Sequence, residues 1–187
     1  MSPGTCPPNH PTASNVLAFW REAGPTKWFK KDAAFDAGFS ERFLAGHEAA
    51  ARRELDDWAV TANGALALLI LLDQLPRNAF RGSERMFATD AQALEIARRA
   101  IAAGFDQQVD AELRNFFYLP LMHSESLPDQ QHAVALTEPL GAEQHRFALM
   151  HRDIIEKFGR FPHRNAVLGR GTTAAEQAFL DAGGFAG

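Results

Sequence analysis

"ALALLILLDQLPRNAFRG" (Ala65–Gly82) decides the fold. Its first eight residues are all apolar. They show no period-two alternation, and on a helical wheel they cover nearly every face. That pattern predicts a buried central helix from about Asn63 to Leu75, with Pro76 as its stop. The run is far shorter than the roughly 20 residues a membrane span requires. Asp73 falls on the same face as Leu66, Leu69 and Ile70. A carboxylate removed from water needs a partner or a proton. Arg77, four residues on, is the nearest candidate, although Pro76 intervenes.

Outward from this helix, the periodicity is helical in both directions. Ser14 caps "NVLAFWREA", which Gly24-Pro25 ends. Asp32 starts a second helix whose stripe is Phe35, Phe39 and Phe43. Thr89-Asp90 caps "AQALEIARRAIAA", closed by Gly104. Further helices follow over about Asp110–Tyr118, Pro128–Thr137 and Ala142–Phe158. Thr173 and Glu176 form a capping box for the last. No run alternates long enough for a strand. The expectation is an all-α fold of eight or nine antiparallel helices in one domain, residues 14–187, behind a disordered Pro-rich tail, residues 1–13.

Composition narrows the functional classes. The 187 residues carry a net charge of −4, which disfavours nucleic acid as a partner. Fifteen Phe against one Tyr point to a large dry core. Cys6 is the single cysteine, so no intramolecular disulfide can form. With no signal-peptide pattern, the expected location is the cytoplasm, without a membrane partner. Oligomeric state is left open, and no cofactor is expected.

Candidate chemistry gathers at two helix exits. "FGRFPHRNAVLGR" (Phe158–Arg170) begins as a helix stop, since Gly159 and Pro162 follow the last periodic residue. Arg160 lies where the helix dipole favours a cation. His163, Arg164, Asn165 and Arg170 exceed what a stop needs. They echo Arg77, Asn78 and Arg81, which also follow a proline after a long helix. Convergence of both exits on one face would give an ion-pair network or an anion pocket near Asp73 and Glu125, because the Arg fork matches carboxylate or phosphate. His123 and Glu125 share an irregular loop and could share a proton. His151 sits mid-way along the apolar face of Ala142–Phe158 and should be buried and hydrogen-bonded, with Asp153 and Glu156 on the solvated side. No HExxH, GxSxG, GxGxxG or P-loop pattern is present, and no metal is expected.

"LLDQLPRNAFRG", "FFYLPLMHSE", "HRDIIEKFGRFPHRNAVLGR" and the entry "FW…KWFKKDAAFD" resemble, in order and spacing, the hallmark segments of the bacterial domain of unknown function nine-two-four family, over about Val16 to Leu180. The resemblance implies a tetratricopeptide-like α–α superhelix and brings no established activity. Three functions fit. The first is an uncharacterised binding module whose Arg/His/Asn-lined groove takes an anionic small molecule or a peptide carboxylate. The second is a small-molecule enzyme using His and carboxylate acid–base chemistry. The third is a purely structural ion-pair core.

Overall fold

The computed structural model describes residues 10–185 and is helical throughout, with no strand among the described residues. The elements are α1 (Ala13–Ala23), the single turn α2 (Pro25–Trp28), α3 (Ala33–Ala51), α4 (Ala62–Leu69), α5 (Leu75–Ala79), α6 (Asp90–Ala102), α7 (Asn115–Met122), α8 (Leu127–Thr137), α9 (Ala142–Phe158) and α10 (Ala174–Asp181). A π-turn, Ile70–Gln74, joins α4 to α5 without a break. Counted as one run, these make nine helices among the described residues. The expectation for the proline-rich start falls largely on residues 1–9, outside the described residues.

Local signals set most boundaries. The Asp32 side chain accepts from the backbone N–H groups of Ala34 and Phe35, as its N-cap role requires. Thr173 and Glu176 make the reciprocal capping box. Gly159 closes α9. The cap of α1 is Thr12 and not Ser14: Thr12 accepts from Asn15 N–H, and the Asn15 side chain returns the bond.

The central run α4–π–α5 is buried from Gly64 to Pro76. It packs on α1, α3, α6 and α7. Gly64 is required there, because a Cβ would lie 2.0 Å from the Trp58 carbonyl oxygen. An aromatic layer fills the space toward the N-terminus: Trp20 packs on Trp28, Phe39 and Phe116, and Trp28 Nε1 donates to the Trp20 carbonyl at 2.7 Å. A second, smaller core of Ile154, Ile155 and Phe161 holds the C-terminal third.

Two prolines sit within helical runs, against the expectation that Pro76 stops its helix. The second, Pro120, lies inside α7. A proline ring clashes with the carbonyl four residues back and lacks an N–H. The π-turn widens the ladder just ahead of Pro76, where Leu75 N–H bonds to Ile70 O. The missing Pro76 donor would have served Leu71 O in π geometry or Leu72 O in α geometry. Both carbonyls receive side-chain donors instead: His47 Nδ1 at 2.9 Å to Leu71 and Thr89 Oγ1 at 2.5 Å to Leu72. Thr89 is therefore the residue ahead of α6, but its hydroxyl makes no cap bond. Thr89→Val should lower stability by about 1–3 kcal/mol, the cost of an unsatisfied buried carbonyl, while Thr89→Ser stays near wild type. Urea denaturation checks this; equal stability of the Val variant would remove the hydroxyl from the account.

Candidate functional site

The π-turn, the start of α6, the end of α7 and the turn after Phe161 meet at one place. Asp73 lies in the π-turn and is 1% exposed. Its carboxylate accepts from Gln74 Nε2 at 2.6 Å and His123 Nδ1 at 2.7 Å, and lies 3.2 Å from Arg77 Nη1. Burial would raise the Asp73 pKa, but Arg77 and His123 outweigh it and hold it at about 2. Arg77 also donates to the Asp73 carbonyl at 2.7 Å and grips Asp90 bidentately at 2.9 and 3.0 Å.

Arg164 arrives from the far exit and completes the group. It donates to the His123 carbonyl at 3.0 Å and, more loosely, to Asp90 at 3.4 Å. Its guanidinium lies between the rings of Phe87 and Phe161, 4.6 Å from each centroid. Arg164 Nε is buried without a partner among the described residues, and burial lowers the Arg164 pKa to about 10. Behind Phe161 stand two more histidines. His151 Nδ1 donates to Phe147 O at 2.8 Å, and its ring meets Phe161 and Phe185. His163 packs between Phe161 and Phe185, with Nδ1 buried and unpartnered. Burial pushes both pKa values down to about 4, with Arg164 adding to the effect at His163. Burial and then Arg77 also lower that of His123.

The other predicted residues lie in separate units. Asn78 and Arg81 turn away and hold Asp36 on α3, at 2.9 and 3.1 Å. Glu125 does not meet His123. It accepts from Phe161 N–H and from both terminal nitrogens of Arg170, while Arg170 Nε binds Asn165 Oδ1. Arg160 pairs bidentately with Glu176 at 2.6 and 2.9 Å and donates to Gly171 O. Among the described residues, no three His, Cys, Asp or Glu gather in metal-binding geometry.

The two Arg-Asn exits thus share only Arg77 and Arg164, joined through Asp90. Sequence reasoning reads Asp90 as a cap residue and assigns no role to Asp36 or Phe87. Spacing within the chain carries no signal for these partners, because they come from other elements. His151 is buried as expected, although Phe147, placed on the same apolar face, is 38% exposed.

Comparison with known proteins places this geometry in a family. The family described as "Bacterial protein of unknown function (DUF924)" matches residues 16–184. The chain belongs to that family. A solved structure is similar over most of its length: the protein of unknown function ATU0120 from Agrobacterium tumefaciens, 53% identical, covering 91% of this chain and 97% of that one with a TM-score of 0.89. A search of curated proteins found no match. No helix among the described residues of this DUF924 chain is long and apolar enough to cross a membrane.

Two expectations follow from the geometry. Asp73→Ala strips acceptors from Gln74 and His123 but leaves Arg77 its bond to Asp90. At about 1–3 kcal/mol per orphaned buried donor, the loss in urea unfolding should be about 2–5 kcal/mol; a change near zero would contradict the contacts above. The three histidines have folded pKa values below the ordinary 6.5. The unfolded chain therefore takes up protons first as pH falls. Stability from these groups is complete above pH 6.5 and falls below it, the contribution of His151 and His163 being lost as pH falls through about 4. Stability measured at stepped pH should fall across that window, and less steeply in His151→Asn.

Proposed function

We propose that the Asp73–His123 pair is the centre of a small-molecule site, where Arg164 and Arg77 hold an anionic ligand and His123 exchanges a proton with it. The orientation of His123 carries this reading. A buried carboxylate engages Nδ1 and so fixes the neutral tautomer with its proton there. Nε2 then bears the free lone pair, and it has no hydrogen-bond partner among the described residues. The His123 side chain keeps 15% of its surface exposed. Arg164, with an unpartnered Nε and a long bond to Asp90, is the least satisfied guanidinium of the group. The anion-binding role of the sequence reading contracts to Arg164 and Arg77, the two guanidiniums beside the Asp73–His123 pair, since Arg81, Arg160 and Arg170 pair with carboxylates outside that cluster.

One observation favours a second reading, a purely structural latch. The four charges Asp73, Asp90, Arg77 and Arg164 sum to zero, so the cluster needs no outside anion. Two further parts of the proposal concern the fold type and the location. Successive packing of α6 on α7, α7 on α8 and α8 on α9 supports a tetratricopeptide-like superhelix. The single cysteine suits a reducing, cytoplasmic setting.

A thermal-shift screen with small carboxylates and phosphate monoesters separates the two readings. A specific ligand at 100 times its Kd stabilises by about 2.7 kcal/mol. The site reading expects a hit on wild type that is lost in Arg164→Lys and weakened in His123→Gln. If no such anion stabilises wild type, or if a hit stabilises all three chains equally, the latch reading stands. Imidazole NMR adds a second check: His123 should be neutral at pH 7 with its proton on Nδ1.

A further inference from the structure

Outside the polar cluster, an open groove of about 550 Å³ runs between α9 and the turn that follows α10. Its floor is Met150, Ile154, Phe158 and Phe179, and Phe185 closes one side. The wall is built by a tight reversal of the chain. A Cβ at Gly184 would lie 2.6 Å from both the ring and the carbonyl of Phe179, so this position lets the backbone fold against α10 and bring Phe185 beside α9. Of the floor residues, only Ile154 is fully shielded; the others keep apolar surface in contact with water.

Cations outnumber carboxylates at the rim, Arg146 and Lys157 against Asp153. Lys157 places its ammonium 5.0 Å from the Phe158 centroid and 5.9 Å from that of Phe179, directly over the floor. Arg146 lines the same groove eleven residues earlier on α9, about 16 Å along the helix at 1.5 Å per residue. Neither makes an ion pair among the described residues. Asp153, the carboxylate that lines the groove, is held by Arg152. The Arg residues at the two helix exits, by contrast, each face a carboxylate.

We infer that this groove binds an anionic amphiphile of the fatty-acid type, its chain on the Met150–Phe158–Phe179 floor and its head group on Lys157. The volume falls within the range of about 300–1,000 Å³ for small-ligand sites. A docked partner helix would need an interface of about 800 Å² per side, which this groove does not offer. The inference is independent of the Asp73–His123 reading, because Lys157 and Arg146 touch none of that cluster.

Dodecanoate and dodecyltrimethylammonium, both below their micellar concentrations, are the probes, with binding read by chemical-shift changes of the Met150 methyl group and by melting temperature. Dodecanoate should bind wild type, and the cationic amphiphile should bind at least about fivefold more weakly, the worth of one partly exposed ion pair. Lys157→Glu, at an exposed position, should invert that order, and Met150→Glu should abolish binding of dodecanoate; circular dichroism confirms that both variants fold. Arg146→Glu should have the smaller effect of the two charge reversals. Failure of dodecanoate to bind wild type, or equal binding of the two amphiphiles to wild type and to Lys157→Glu, would overturn the assignment.

Discussion

Pro76 withholds one N–H from the most buried helix of the molecule, and much of the architecture answers that deficit. Leu71 and Leu72 offer their carbonyls sideways, and α3 and the start of α6 supply the donors through His47 and Thr89. Arg77 takes the next carbonyl, that of Asp73. Three consecutive carbonyls of the central run are thus tied to side chains. A buried polar group left unpaired is costly, so these bonds fix where α3 and α6 sit against the core. The same wide turn presents Asp73 to His123. The polar cluster is a consequence of how a proline is accommodated in a dry interior.

Charge is then distributed in matched packets. Asp90 is shared between the guanidiniums of the two helix exits; Asp36, Glu125 and Glu176 each serve one exit only. Breaking one member of such a packet exposes the other to the full cost of burial. Arg164 is the exception in quality of fit, with aromatic rings on both faces and an idle Nε. His123 has its Nδ1 engaged by the buried Asp73 carboxylate, and no partner for its second nitrogen is present among the described residues.

Features that depend on neighbours in the chain were legible from the residues alone. Asp32, the Thr173–Glu176 box and Gly159 mark helix ends by contacts within one turn, so spacing reveals them. The burial of Asp73 and of His151 followed from helical periodicity. The partners of the charged residues did not, because they bridge long stretches: Asn78 reaches Asp36 across 42 positions and Arg164 reaches Asp90 across 74. The repeated Arg-Asn motif misled for the same reason. Its two copies leave similar helix stops but meet different neighbours. Pro76 reads as a stop because proline is a local signal, whereas its tolerance here is supplied from other elements.

Pro76 and Thr89 form the two halves of one device, and this gives their evolution a direction. A chain that first exchanges Pro76 for a residue with an N–H gains a backbone donor at the vacant rungs, and where α geometry directs it to Leu72 O the Thr89 hydroxyl becomes dispensable. A chain that first loses the hydroxyl strands a carbonyl in the core. The two substitutions are therefore epistatic, and one order of mutation is open where the other passes through a weakened intermediate.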